Sequence, residues 1–201
     1  MKPPHENAPH RALRVSAEAP ESSGPRVRPG RFPEIGVLAW LLARGGGRLA
    51  GTKPLNLFLI LGRHRRLFRG WLHFAGLLMP GGVLRRRESE LVILRVAHRR
   101  GSEYEYRQHV RLGKRAGLTD AEIERVSDGP DPAGWSPRER AILAAVDELL
   151  DTRDVSDAVW DELRRHVDER EAIEVVLLAG HYDMLAAAIA ALRVPLEEPS
   201  R

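Results

Sequence analysis

Apolar residues recur at helical spacing along most of the chain from residue 54 onward. The segments with this pattern are 55–61, 64–79, 86–100, about 103–116 and a long final stretch that ends at Leu192. Apolar residues three and four positions apart form one face of an α-helix. Nowhere do Val, Ile or Thr alternate with polar residues, as in a half-buried strand. The pattern therefore predicts an all-α fold without a sheet.

Short signals at the edges of these segments support the same prediction. Thr119 and Ser136 are each followed by a glutamate three residues later, which is the spacing of a capping box at a helix start. Asp168 has the same spacing and opens the final apolar stretch. Gly117 stands where a glycine in the left-handed conformation commonly ends a helix. We expect helix boundaries close to these four residues.

Two segments depart from the helical pattern. Residues 1–31 are rich in Pro, Arg, Ser and Glu and hold almost no large apolar residues. Such a segment cannot bury enough surface to offset the entropy lost on ordering. We therefore expect a flexible or draped basic tail over 1–31 and a single all-helical domain over 32–201. The run Arg44-Gly45-Gly46-Gly47-Arg48 predicts a second break, between a short apolar helix and the body of the domain.

The composition excludes several kinds of chemistry. The chain has 201 residues, which suits one domain, and no cysteine, so disulfides, thiolate nucleophiles and cysteine zinc sites are ruled out. The apolar runs Gly36–Ala43 and Leu57–Leu61 are too short to span a membrane. Residues 1–31 lack the apolar segment of a signal peptide. We expect a cytoplasmic protein without a membrane partner.

Charge is unevenly distributed along the chain. Residues 1–80 carry 13 basic and 4 acidic side chains, whereas residues 81–201 carry 19 and 24. The arginines at 63, 65, 66 and 69 could contact nucleic acid, but no helix-turn-helix, zinc finger or aromatic stacking array accompanies them. We interpret them as a solvated basic face, or one that docks on the acidic half of a neighbouring subunit. We expect no nucleic-acid partner.

Titratable groups are concentrated between residues 88 and 109. Ser102, Glu105 and His109 have the spacing i, i+3, i+7, which places them on one face of a helix. Glu90 belongs to the preceding predicted helix and stands among apolar residues, so its carboxylate is expected inside. A buried carboxylate needs a partner or a raised pKa, and a nearby histidine supplies either. Two carboxylates and one imidazole form a candidate proton-transfer site that needs neither metal nor cofactor.

The same residues allow other interpretations. A glutamate and a histidine four residues apart are often a surface pair, and Glu90 could instead pair with an arginine such as Arg95 or Arg99. Glu90, Glu105 and His109 could supply three metal ligands, but no metal-binding motif accompanies them, so we expect no metal site. Three aromatic side chains could either line a pocket or pack in the core: Trp71, His73 and Phe74.

The segments Glu88–Ala97 and Ser102–His109 together resemble the carboxymuconolactone decarboxylase family, which shares an all-helical fold with the alkylhydroperoxidase-D proteins. In the peroxidase branch the motif is Glu, eleven residues, then Cys-x-x-Cys-x-x-x-His. On this chain the glutamate falls at Glu90, the two cysteines at Ser102 and Glu105, and the histidine at His109. The likeness covers roughly residues 54–193 and includes three further segments: Asn56–Phe58, Ala116–Thr119 and Gly180–Leu185.

The resemblance implies an alkylhydroperoxidase-D-like helical bundle and a cysteine-free branch that acts without a cofactor. Neither Ser nor Glu replaces a low-pKa thiolate, so peroxidase activity is not expected. We expect His109 to donate or shuttle a proton, Glu90 to set its tautomer, and Glu105 to act as a second base. Four residues are expected to contact substrate: Ser102, with a helix N-cap as the simpler role, and Tyr106, Arg95 and Tyr182.

The expected reaction is decarboxylation of a small carboxylated lactone or carbonyl compound, as in 4-carboxymuconolactone decarboxylase. An isomerase or lactone hydrolase of secondary metabolism would use the same acid–base set, because fold and motif do not fix the substrate. A non-catalytic helical protein that binds a ligand is the alternative from another class. Family members assemble as dimers, trimers or hexamers, so a homo-oligomer is expected, with the apolar segment Val37–Leu42 among the surfaces to be buried.

Overall fold

The structure, a computed structural model, describes residues 24–131 and 133–199, and the side chain of Leu49 is outside the description. The described residues fold into helices joined by short loops, with no strand among them. The helices are α1 Phe32–Ala50, α2 Asn56–Leu61, α3 Arg65–Leu78, α4 Arg86–Arg99, α5 Glu103–Arg115, α6 Asp120–Arg125, α7 Pro137–Thr152, α8 Asp157–His166 and α9 Glu169–Leu192, with a 3-10 turn over Val126–Asp128. The predicted all-α fold is confirmed.

Helix α4 is the centre of the bundle and packs against α5, α7 and α9. Every residue from Glu88 to Ala97 is buried, including the polar ones. A helix that is enclosed on all sides must supply a partner for each polar group that it buries. The partners of the buried polar residues of α4 therefore fix how its neighbours are placed.

The predicted capping signals begin the helices as expected. The side chains of Thr119, Ser136 and Asp168 each accept a hydrogen bond from the backbone N–H three residues later, and the glutamate there bonds back in return. This reciprocal pairing satisfies backbone donors that would otherwise lack partners at a helix start. The local sequence thus sets where α6, α7 and α9 begin.

The predicted break at the glycine run is wrong. Helix α1 continues through residues 44–48 and ends at Gly51, which is left-handed with φ of 67°, while the kink lies earlier, at Gly36 with φ of 77°. Glycine weakens a helix by about 1 kcal/mol relative to alanine. Here it permits close packing, because a Cβ at Gly46 would lie 2.5 Å from Leu55 Cδ1, and one at Gly47 would lie 2.4 Å from the Lys53 carbonyl oxygen.

Part of the predicted N-terminal tail lies against the domain. The Arg26 N–H donates to the Leu192 carbonyl, the Gly30 N–H donates to the Leu59 carbonyl, and Val27 packs against the core. Residues 1–23 of the predicted tail lie outside the described residues. The domain boundary at residue 32 stays a prediction, although ordered contacts begin before it.

Helix α9 shows how an apolar sequence can serve a core rather than a membrane. Among the described residues it is the helix long and apolar enough to cross a bilayer, with a mean hydropathy of 1.8 over its best window. Its buried residues, such as Val175, Leu178 and Leu185, belong to the main core. Length and hydropathy are therefore weak evidence for a span here, and a cytoplasmic location stays a prediction.

Arg95 of α4 joins three elements inside the protein. Its Nε and Nη2 donate to the Asp147 carboxylate of α7 at 2.7 and 2.8 Å, and Nη1 donates to the carbonyls of Val126 and Ser127 at 2.7 and 2.8 Å. The residue is only 5% exposed. The expectation that Arg95 contacts substrate is corrected by this arrangement, because four of its five N–H donors are bonded inside the fold.

Replacement of Arg95 by alanine should therefore cost stability. Removing one partner of a buried ion pair leaves an uncompensated carboxylate and typically costs about 3–5 kcal/mol. Urea unfolding of Arg95→Ala should show a loss of this order in the free energy of unfolding. The control is Arg107→Ala, which removes an exposed arginine paired with Glu103 one helical turn away and should change stability much less. Equal losses in the two variants would contradict a structural role for Arg95.

Candidate active site

A tight turn brings α5 back against α4. Gly101 adopts a left-handed conformation with φ of 61°, and the Ser102 N–H donates to the Ala97 carbonyl. Further along, Gly113 lies close to Leu118, since a Cβ there would lie 2.9 Å from Leu118 Cδ1. The turn places the inner face of α5 against the middle of α4.

Glu90 and His109 meet at this contact. Glu90 Oε2 lies 2.7 Å from His109 Nδ1, and the two residues are 0% and 7% exposed. Arg86 Nη2 lies 2.8 Å from the other carboxylate oxygen and forms an ion pair, although its N–H bonds are not aligned for a hydrogen bond. With a carboxylate as acceptor, Nδ1 carries the hydrogen, which leaves Nε2 of a neutral ring as the acceptor.

Glu105 lies one turn before His109 and lacks a partner. The residue is 3% exposed, and neither carboxylate oxygen makes a hydrogen bond within the described part of the chain. Burial raises the pKa of Glu105 to about 7, against the opposing effect of the nearby Ser102 hydroxyl, and the charge of Asp183 adds to the rise. The Ser102 hydroxyl is close to this carboxyl group but does not reach hydrogen-bond geometry. Glu105 is thus present in both protonation states near neutral pH.

A cavity of about 320 Å³ opens beside these groups. Its polar lining includes Glu105, His109 and Gln108 from α5 and His181 and Tyr182 from α9, and most of the remaining wall is apolar. The Tyr182 ring meets the His109 ring edge to face, with 5.1 Å between centroids. Burial raises the pKa of Tyr182, helped by the charges of Glu90 and Glu105, so its hydroxyl stays protonated.

The structure brings together most of the predicted site residues. Glu105, His109 and Tyr182 line the cavity, and Glu90 supports His109 from behind. Ser102 occupies the N-cap position of α5, but its side chain makes no capping hydrogen bond. The expectation that Tyr106 contacts substrate is corrected, since its ring packs in a separate cluster with Leu118 and Ile123, away from the cavity. Arg95 is likewise elsewhere, as described above.

Two lining residues were missed or left undecided by sequence reasoning. His181 is 4% exposed, its Nδ1 has no hydrogen-bond partner within the described residues, and burial lowers its pKa. Trp71, left open between core and pocket, lines the cavity with its ring nearly parallel to that of His181, at an interplanar angle of 21°. A histidine within the apolar sequence of α9 was the available signal, because such a position places an imidazole inside the bundle.

The glutamates and histidine do not form a metal centre in this arrangement. Among the described residues, no group of three or more His, Asp or Glu side chains is placed to hold an ion. Glu90 turns one oxygen to His109 and the other to Arg86, which leaves it unsuited as a ligand. The arrangement is instead suited to moving protons: a supported imidazole, a carboxyl group with pKa near neutrality, and a neutral phenol share one apolar cavity.

Comparison with known proteins gives a match to one family model and a fold. The model of the carboxymuconolactone decarboxylase family matches residues 65–148, which include α4, α5 and the site carboxylates. No curated protein matches the sequence. The family match therefore covers the part of the chain that holds Glu90, Glu105 and His109.

Solved structures match over most of the chain at low identity. The alkylhydroperoxidase core of an uncharacterised peroxidase-related protein from Ralstonia eutropha matches with a TM-score of 0.72 and 18% identity, over 87% of this chain and 94% of that one. A cysteine-to-alanine variant of the debrominase Bmp8 in complex with 2,3,4-tribromopyrrole gives 0.73 and 16%, over 89% and 95%. A peroxidase-related protein from a Silicibacter species gives 0.72 and 14%, over 90% and 95%. These likenesses establish an alkylhydroperoxidase-D-like fold.

The raised pKa of Glu105 makes stability depend on pH. Below the ordinary pKa of 4.5 the group is protonated in both folded and unfolded chains. Between pH 4.5 and about 7 the unfolded chain ionises first, so the folded state loses stability as pH rises. At about 1.4 kcal/mol per pKa unit, the full difference is about 3–4 kcal/mol.

Glu105→Gln removes this titration. We expect the free energy of unfolding of the variant, relative to that of the wild type, to increase from pH 4.5 to 7 and to be constant above pH 7. Urea unfolding across that range measures this difference. Parallel pH profiles for the two proteins would show that Glu105 titrates normally and would contradict its burial without a partner.

Proposed function

We propose that this chain, which matches the model of the carboxymuconolactone decarboxylase family over residues 65–148, is an acid–base enzyme acting on a small carbonyl compound through His109, Glu90 and Glu105. The observation that carries the proposal is the buried Glu90–His109 contact beside an unpartnered carboxyl group in an apolar cavity. Perturbed titratable groups gathered in a cavity are a recurring property of catalytic sites. The proposal assigns every proton transfer to side chains of this chain.

In this proposal the Glu90–His109 pair is the base. Neutral His109 accepts a proton at Nε2, and the Glu90 carboxylate at Nδ1 stabilises the imidazolium that results. Surroundings of low polarity strengthen this attraction relative to water. The carboxylate also fixes the ring orientation, so the same nitrogen faces the cavity in each cycle.

Glu105 and Tyr182 are the other proton-transfer groups of the proposed site. Glu105, with a pKa of about 7, can deliver a proton in one step and recover it in the next. Tyr182 stays protonated because burial raises its pKa, so its hydroxyl serves as a donor to an oxyanion. One cavity thus offers a base, an acid of matched strength and a neutral donor.

For a carboxylated lactone, the proposed reaction is decarboxylation. The bond between the ring carbon and the carboxylate breaks, carbon dioxide leaves, and the electron pair passes to the conjugated carbonyl as an enolate. Tyr182 stabilises the oxygen charge. Protonated Glu105, or His109 in its imidazolium form, then protonates carbon, so one proton taken up from solvent is consumed. An isomerase would move a proton between two carbons with the same groups, and a lactone hydrolase would add water. The product therefore distinguishes the three reactions.

The fold relatives include peroxidase-related proteins, but we do not extend thiol chemistry to this chain. It has no cysteine, and Ser102 and Glu105 stand where the peroxidase motif has sulfur. A hydroxyl is scarcely ionised at neutral pH, and a carboxylate is a poor reductant, so neither replaces a thiolate. The structural likeness to a debrominase is consistent with a cavity that accepts small ring compounds.

We further propose that the protein is a homo-oligomer. Helix α9 exposes Ile173, Leu177 and Met184 at 46–54%, and α1 exposes Val37 and Leu41 at 54–58%. Exposed apolar patches of this kind are typical of subunit contacts. The proposed reaction uses side chains of one chain and does not require a second subunit. Assembly and catalysis are therefore separate parts of the proposal.

Loss of the histidine or its carboxylate should remove activity. With 4-carboxymuconolactone as substrate, followed as substrate loss and carbon dioxide release, His109→Ala and Glu90→Gln should each lower turnover by about 10²–10⁴-fold. His166→Ala is the matched control, since it removes a histidine that pairs with Glu162 at the surface, at 2.9 Å. It should leave turnover unchanged.

Near-normal turnover in both site variants would contradict the proposed roles. Folded wild-type protein that leaves 4-carboxymuconolactone intact would remove this substrate from the proposal. Incorporation of deuterium from solvent into cyclic enones would then test the proton transfer alone. A chain that binds such compounds without any exchange would be a ligand-binding protein rather than an enzyme.

The molar mass of the protein in solution tests whether it is a homo-oligomer. Light scattering coupled to size exclusion should give a multiple of the 22.5 kDa chain mass. Leu177→Glu should lower that mass if α9 forms the contact, because a buried charge opposes association. A monomer at all concentrations would contradict the oligomer, and an unchanged multimer in Leu177→Glu would move the contact away from α9.

A further inference from the structure

The mouth of the cavity is positively charged. Arg111 and Arg115 both line the cavity and are exposed, so they lie where it meets solvent. Glu105 is the only acidic residue of the lining within the described part of the chain, and its pKa of about 7 leaves it partly protonated at neutral pH. The lining therefore carries a net positive charge, which favours the entry of an anionic molecule.

Helical geometry places the two arginines on the cavity side of α5. Gln108, Arg111 and Arg115 have the spacing i, i+3, i+7, so they follow one another along one face of the helix. All three line the cavity, as does His109. Arg111 comes two residues after His109, which is a step of about 3 Å along the helix axis. The two side chains are therefore attached close enough together for one ring-sized molecule to contact both.

Arg111 has no acidic partner among the described residues. It makes no hydrogen bond or ion pair there, whereas Arg107, one turn earlier on the same helix, pairs with Glu103. The other neighbours of Arg111 one turn along the helix are Lys114 and Arg115, which are also basic. Like charges four residues apart destabilise a helix. An anion bound at Arg111 would therefore compensate a charge that the described part of the chain leaves unpaired.

We propose that Arg111 binds a carboxylate of the substrate at the mouth of the cavity, and that this carboxylate does not take part in the reaction. The inference rests on the proposed function and deepens it, because it names the residue that selects a carboxylated substrate. A guanidinium group can donate two parallel hydrogen bonds to one carboxylate. Arg95 and Tyr106, which the sequence suggested for contact with substrate, lie elsewhere in the fold.

The direction of charge movement determines which carboxylate Arg111 can hold. In decarboxylation, negative charge leaves the reacting carboxylate and develops on the enolate oxygen. A cation paired with the reacting carboxylate would stabilise the bound substrate more than the transition state and would slow the step. The carboxylate at Arg111 is therefore one that the product retains, and the reacting carbon lies nearer His109 and Glu105. Arg111 is thus a specificity-determining residue.

Phenylacetate and phenylacetamide test this assignment, because they have nearly the same shape and differ in charge. An NMR titration of the wild-type protein at pH 6, where Glu105 is mainly protonated, should show phenylacetate binding more tightly than phenylacetamide. We expect a ratio of about 3–10-fold, which lies between the effects of an exposed ion pair and a charge-assisted hydrogen bond. Arg111→Gln should remove this preference by weakening phenylacetate binding alone, and Arg111→Lys should keep part of it, because a lysine retains the charge without the paired donors.

Arg107→Gln is the matched control. Arg107 is an exposed arginine of the same helix, pairs with Glu103 and is absent from the cavity lining, so its variant should keep the wild-type preference. Four results would overturn the proposal: no binding of phenylacetate, no preference for it in the wild-type protein, an equal loss of both compounds in Arg111→Gln, or a preference that survives in that variant.

Steady-state kinetics test whether the bound carboxylate stays out of the reaction. With 4-carboxymuconolactone, which has two carboxylates, Arg111→Gln should raise KM about 3–10-fold and change kcat by less than about twofold, because a contact with a group that does not react is equally strong in the bound substrate and the transition state. A fall in kcat at unchanged KM would show that Arg111 acts on the reacting group and would overturn its assignment.

The binding and kinetic measurements separate this inference from the proposed reaction. Binding is recorded without turnover, so the preference for phenylacetate stands even if 4-carboxymuconolactone is left intact, a result that would contradict the reaction alone. Conversely, turnover that depends on His109, together with equal binding of the two probes, would support the reaction and overturn the role of Arg111.

Discussion

The contact between Glu90 and His109 is the constraint on which the site depends. A carboxylate with no exposed surface at the centre of a bundle costs several kcal/mol unless it is paired. The imidazole supplies the pairing, because the tight turn at the left-handed Gly101 brings α5 back against α4. The fold therefore holds one histidine of the cavity lining with its Nδ1 turned to Glu90, and this orientation follows from satisfying a buried charge.

Other buried charged residues of α4 are paired entirely within the protein. Arg95 is surrounded by Asp147 and two backbone carbonyls, and Glu88 is held by Arg138, which also binds Glu171 of α9. The donors and acceptors of these groups are paired with one another inside the protein. The Glu90–His109 pair differs because one end opens on an apolar cavity beside Glu105. The matched groups hold the helices in place, whereas the Glu90–His109 pair lies beside a cavity.

Sequence patterns predicted the helices well and the facing of side chains less well. Capping boxes at Thr119, Ser136 and Asp168 are local, so they can be recognised without tertiary structure. The glycine run was misread because propensity opposes a helix there, whereas contact with residues 53–55 favours small side chains. Spacing placed Glu105 and His109 on one face, but it could not show that Arg95 turns toward α7. The roles of Trp71 and His181 depend on contact between α3 and α9, which are far apart in sequence.

The most direct test of the account is the tautomer of His109, read from the ring nitrogen shifts of ¹⁵N-labelled protein over the pH range in which the ring is neutral. The account predicts hydrogen on Nδ1, toward Glu90, and an unprotonated Nε2 toward the cavity, with this preference lost in Glu90→Gln. Hydrogen on Nε2 in the wild-type protein would contradict it. Glu90 would then be the protonated partner, and His109 could not accept a proton from a bound molecule.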